Sequence, residues 1–116
     1  MFSIKEGSGK HQIELTVVDT PNGFACVLTG GEAPHIGGVA LASPRPSLTG
    51  EGHSADLWLA TIPGHKDMYL AGEVAQALCA RLNAVVSVSC GIHIDHATAD
   101  DLRIIKENSL KAAQAF

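Results

Sequence analysis

Long apolar runs are missing from this sequence: its 116 residues hold no stretch of about 18 consecutive apolar residues, the length a helix needs to span a bilayer. The opening segment MFSIKEGSGK also lacks the apolar core of a secretion signal. The expectation is a cytoplasmic protein with no membrane partner. Charge is scarce as well. Charged residues are 17% of the chain and apolar ones 46%, with a mean hydropathy of +0.16, which excludes disorder and leaves the surface short of charge. On a small domain such a surface implies cover by another copy or a partner, so a homo-oligomer is expected.

Clustered positive charge is absent. Eight Lys and Arg stand against twelve Asp and Glu, a formal net charge of −4, and the cations are scattered. Aromatics for stacking bases are few, namely Phe2, Phe24, Trp58, Tyr69 and Phe116. A nucleic-acid partner is therefore not expected. Paired cysteine is lacking too: the three cysteines, Cys26, Cys79 and Cys90, lie in apolar runs without a C-x-x-C pair. An odd count in that context reads as reduced thiols packed in a core.

What is present is alternation. In His11 to Thr20, Ile13, Leu15 and Val17 share one face of a half-buried strand. Pro21-Asn22-Gly23 supplies a tight reversal, and Phe24 to Thr29 returns as the hairpin partner. Ile36 to Ser43 reads as a third strand, with Gly37 and Gly38 marking a bulge or a close backbone approach, and with Pro44-Arg45-Pro46-Ser47 ending it. Ala55 to Ile62 is the fourth strand and Ala84 to Cys90 a central one.

Pro63 to Asp67 opens a helix reaching about Asn83, whose core stripe is Ala71, Val74, Ala75, Leu78 and Leu82. Thr98 caps a last helix, with Asp100 and Asp101 complementing its positive end and Leu102, Ile105, Ser109 and Ala112 forming its apolar edge. The order ββββαβα predicts one α+β domain over residues 1–116: a single, mainly antiparallel sheet of about five strands with two helices on one face.

Six histidines are many for this length, and most follow loop or strand-end signals, where binding residues gather. His93 and Asp95 fall on the same side of an extended segment, a pairing suited to acid–base work or metal ligation. The competing reading is that Asp95 caps a turn and His93 bonds to backbone. With no H-x-x-x-H and no thiolate at metal spacing, no metal is expected.

His65 and Lys66 fall in the first turn of the helix that Pro63 opens, where free N–H groups favour an anion, yet the spacings of both nucleotide-binding glycine motifs are missing and a plain capped helix start with a solvated lysine is the competing reading. Arg45, held between Pro44 and Pro46, is either a pre-organised anion clamp or a plain surface arginine. No nucleophile-elbow context surrounds any serine, and no catalytic residue is assigned. His35, Arg45, His65, Lys66, His93 and Asp95 form a polar, cation-biased set expected to line one cleft and suited to a phosphorylated or carboxylated ligand.

Pro34 to Ser47 (PHIGGVALASPRPS), Gly64 to Asp67 (GHKD) and Gly91 to Asp95 (GIHID) followed by Thr98 resemble the signature of the LpdD-like prenylated-flavin chaperone domain, a likeness running from Gly30 onward. It departs at Gly38, where Ala is the expected residue, and at Met68, where a second acid is frequent. The resemblance implies a non-catalytic accessory subunit of a UbiD-like decarboxylase of hydroxyaromatic acids such as gallate, protocatechuate or 4-hydroxybenzoate, helping that partner acquire or mature prenylated FMN. A cofactor of this kind, prenylated FMN or FMN, asks for a cationic phosphate grip from Arg45, His65 and Lys66 and an apolar wall from Trp58 or Tyr69. Two other classes compete: a small oligomeric lyase or hydrolase using His65, His93 and Asp95, with or without metal, and a binding module for phosphorylated metabolites.

Overall fold

Alternating burial sorts the strands. In β2 (Ile13–Thr20) Ile13, Leu15 and Val17 are buried and their neighbours are not, and the same period places Cys26 and Leu28 of β3 (Gly23–Gly31) inward. The computed structural model describes residues 1–116. It adds β4 (Gly38–Pro46), β5 (His53–Thr61) and β6 (Val85–His93) to these two. One further strand had not been expected, β1 (Phe2–Glu6), which pairs antiparallel with β2. Its FSIKE segment carries the alternation signal over only five residues.

The six strands form one sheet in the order β1-β2-β3-β6-β4-β5. Every pair is antiparallel except β3 with β6, so the α+β architecture and its mainly antiparallel sheet are as the sequence implies. Pro44 lies within β4, which ends at Pro46. Pairing between β4 and β6 stops at Ala42, and beyond it only β5 continues alongside. A proline without an N–H is tolerated on a strand with one unpaired side.

Two helices cover one face. Helix α1 (Asp67–Leu82) buries Ala71, Val74, Ala75 and Leu78 as its stripe predicts. It packs on β4, β5 and β6, while α2 (Ala99–Ala115) packs on β1, β2 and α1. Thr98 closes a capping box with Asp101. The edge of α2 is Ile105, Ser109, Ala112 and Ala113; Leu102, expected to share it, is 61% exposed. Between sheet and helices lies one core that includes all three cysteines, reduced and buried. Burial pushes the Cys26 thiol up to about 11 and the Cys90 thiol, with Asp67 nearby, up to about 12.

No helix is long and apolar enough to cross a membrane.

Candidate functional site

Strand order creates the site. Because β6 sits between β3 and β4, the chain leaving β3 must cross the end of β6 before it can enter β4. It does so as a strap, residues 32–37, whose backbone follows β6. Glu32 N–H donates to the His93 carbonyl (2.7 Å) and Gly37 N–H to the Cys90 carbonyl (2.9 Å). Gly91 is what lets the strap lie so close: a Cβ there would fall on the His35 carbonyl and within 2.8 Å of Ile36 N. The carboxyl ends of the one parallel pair, β3 and β6, thus meet the start of α1. Crevices at such a divergence of strand connections are favoured ligand sites in open sheets.

Asp67, the first residue of α1, is the hub of this junction. Its Oδ1 accepts the Ile92 backbone N–H (3.0 Å). Its Oδ2 lies 3.0 Å from His35 Nε2 and 3.5 Å from His65 Nδ1. His35 is fixed from behind, since its Nδ1 donates to the Ala33 carbonyl (2.9 Å). That bond, with further help from Asp67, raises the His35 pKa above its ordinary value against a smaller desolvation effect. The three donors come from the strap, the β5–α1 turn and the helix, and all lie within 4.8 Å of one another.

The Gly37-Gly38 pair is needed for this approach, as glycines inside a strand signal predicted. A Cβ on Gly37 would fall on Asp67 Oδ2 and 2.9 Å from His65 Nδ1, and one on Gly38 would come within 2.6 Å of Met68 N. The two positions at which the chain departs from the pattern it resembles, Gly38 and Met68, are therefore packed against each other.

Beside the hub opens a cleft of about 470 Å³ between α1, α2 and the end of β6. Leu70, Ile92, Ile94, Leu102 and Ile105 supply its apolar wall, and His35, His65, Lys66, Asp67, Glu73, His93 and Lys106 its polar rim. Tyr69 also lines it and is 60% exposed. Lys106 pairs with Glu73 at 3.2 Å, whereas Lys66 makes no ion pair. Volume and lining both fall in the range of small-molecule sites.

Four of the six residues singled out in the sequence, His35, His65, Lys66 and His93, thus share one cleft. Asp95 stands at its margin, paired with His93 Nε2 at 2.9 Å, while its backbone N–H donates to Glu32 Oε1. Arg45 does not join them. It sits seven positions along β4 from Gly38, roughly 23 Å away at the usual strand rise. There it donates to Asp56 (3.0 Å) and to the Pro46 carbonyl.

Lys66 also differs from expectation: the helix starts at Asp67, leaving Lys66 at the N-cap position. The anion at this helix start is the chain's own Asp67 carboxylate. Of the two candidate wall aromatics, Tyr69 reaches the cleft and Trp58 does not.

Asp67 and Lys106 were missed as site residues. Asp67 had a signal, an acid directly after Gly64-His65-Lys66 at a helix start, but it reads equally well as a dipole partner. Lys106 had none, because only the packing of α2 against α1 brings it to the rim.

Comparison with known families matches residues 7–116 to the prenylated flavin chaperone LpdD-like domain. Comparison with curated proteins finds no match.

Proposed function

Since the chain belongs to the prenylated flavin chaperone LpdD-like domain family, we propose that it binds prenylated FMN transiently in the cleft at the end of β6 and hands it to a UbiD-like decarboxylase of hydroxyaromatic acids, without catalysing decarboxylation itself. The observation that carries this reading is the cleft's division into an apolar wall and a polar rim on which Lys66 is a cation with no ion pair of its own, while Asp67 is taken up by the two histidines and Glu73 by Lys106. A flavin phosphate is dianionic or nearly so and needs charge-assisted donors, while its ring system needs shelter from water and oxygen.

Lys66 and Lys106, both on the rim, are assigned the phosphate together with His65 and His93, Lys106 exchanging its contact with Glu73 for the ligand. Tyr69, Leu70 and Leu102 are assigned the ring. His35 supports the rim through Asp67, and Asp95 orients His93. Arg45 has no part in this cleft. The phosphate grip assigned to it from sequence passes to Lys106.

Titration of FMN and of prenylated FMN into the chain, followed by flavin fluorescence, tests the proposal. Charge-assisted contacts contribute about 1.5–3 kcal/mol each, so Lys66→Ala and Lys106→Ala should each weaken binding roughly tenfold or more, and Arg45→Ala should leave it unchanged. Co-purification with a decarboxylase should yield a complex carrying flavin absorbance. If neither the chain alone nor the chain with its decarboxylase retains flavin, the proposal fails.

A further inference from the structure

We propose that His35 Nε2, His65 Nδ1 and Asp67 Oδ2 form a three-ligand site for one divalent transition-metal ion of the zinc class, open on its remaining side to the cleft. The inference concerns donor geometry and holds whether or not a flavin enters the cleft.

Spacing is the first argument. Zinc bonds imidazole nitrogen and carboxylate oxygen at about 2.0–2.1 Å, which makes the edge of its coordination tetrahedron about 3.3 Å. The distances from Asp67 Oδ2 to His35 Nε2 and to His65 Nδ1 are 3.0 and 3.5 Å, one on each side of that edge. Two imidazoles and one carboxylate with a vacant position are a recurrent donor set for exchangeable metal sites.

The second argument is the support behind the donors. A ligating histidine characteristically donates its other ring N–H to a carbonyl or carboxylate, which fixes the tautomer and aims the free lone pair. His35 does this through Nδ1 to Ala33. Ligating carboxylates are themselves held by a hydrogen bond, and Ile92 N–H holds the far oxygen of Asp67.

Gly37 supplies the third argument. Any side chain there would occupy the space between Asp67 Oδ2 and His65 Nδ1, so the backbone keeps clear the volume an ion needs. His93 and Asp95, the pair that the sequence offered for metal, are exposed at 53% and 72% and belong to no cluster of three donors.

The vacant position faces the cleft, whose lining includes all three donor residues. It is suited to water or to an anionic oxygen of a bound ligand.

The test uses tag-free, metal-stripped protein titrated with Zn²⁺ by calorimetry and with Co²⁺ by visible absorption. The expected result is one equivalent per chain and the d–d bands of low-symmetry Co²⁺. His65→Ala and Asp67→Asn should each weaken Zn²⁺ binding by more than about tenfold, while His53→Ala, remote from the cluster, changes nothing. His65→Ala is the decisive variant if Asp67→Asn fails to fold. Its side chain is 40% exposed, and its ring has no polar contact besides Asp67. Absence of stoichiometric Zn²⁺ binding, or binding that a folded His65→Ala variant retains undiminished, overturns the proposal.

Discussion

Asp101 is the most strongly perturbed carboxylate in the chain. Its Oδ2 accepts the Thr98 backbone N–H (3.0 Å), its own N–H donates back to Thr98 Oγ1 (3.1 Å), and its Oδ1 lies 2.7 Å from His11 Nε2. The Thr98 bond first, then His11, with Lys10 adding a smaller pull, hold the carboxyl well below the usual carboxylate range. A depressed folded value means that the unfolded chain, titrating near 3.9, takes up the proton first. The stabilisation is complete above about pH 4 and is lost as pH falls through the folded value. In urea unfolding, wild type should therefore exceed Asp101→Asn at pH 7, with the gap closing below about pH 4; a gap independent of pH would show that the charge is not its source. Thr98→Ala removes the other half of the box and should cost about 1 kcal/mol at pH 7. The cysteines make a complementary prediction: with thiols raised to about 11 and 12 by burial, Cys26 and Cys90 should resist iodoacetamide at pH 8 and react only on unfolding. Rapid labelling of folded protein would contradict their place in the core.

Among the elements, the strap of residues 32–37 and the end of β6 depend on each other. The strap contributes His35 to the site and satisfies carbonyls that β6 would otherwise leave to solvent. Gly91→Ala should push the two apart, because the new methyl would collide with backbone at the His35 carbonyl and not with a side chain free to swing. The expected cost is about 1–3 kcal/mol, with faster hydrogen exchange at the His35 and Gly37 amides. Unchanged exchange at both would mean that the approach relaxes without loss. Helix α1 answers to the same junction. It begins at Asp67 and not at Pro63 because the Pro63-Gly64 turn carries the chain around, which leaves the carboxylate at the first helical position aimed across at Ile92 and His35.

For the whole molecule, the uneven distribution of apolar surface carries the clearest prediction. Both helices lie on one side of the sheet, and on the other Val27, Val39, Leu41 and Trp58 remain 37–57% exposed. Exposed apolar side chains gathered on one face mark a surface that a partner covers, and a second copy of the chain is the expected one. Light scattering at tens of micromolar, the order on which a standard-sized interface assembles, should report a dimer or higher species. Trp58→Glu or Leu41→Glu should return it to monomer with little change in the core, since both side chains point away from it. A monomeric wild type would remove this expectation.

Local periodicity by itself determined most of the elements. Ile13, Leu15 and Val17 define β2 by alternation, Ala71 to Leu78 define the buried stripe of α1, and Thr98 with Asp101 announces the start of α2. These signals act between neighbours two, three or four positions apart, so they survive in a single sequence. Segments that line the cleft were marked too, through the glycines and histidines around His35, in Gly64 to Asp67 and in Gly91 to Asp95. Only the tertiary structure decided that β6 enters between β3 and β4, since strand order is set by pairing across long stretches of chain and no local period encodes a partner. That one choice of neighbour draws the strap over β6 and brings His35 to Asp67, 32 positions later. The same choice leaves Arg45 at the opposite end of β4: a strand converts a short separation in sequence into a long one in space, while the sheet converts long separations into contacts.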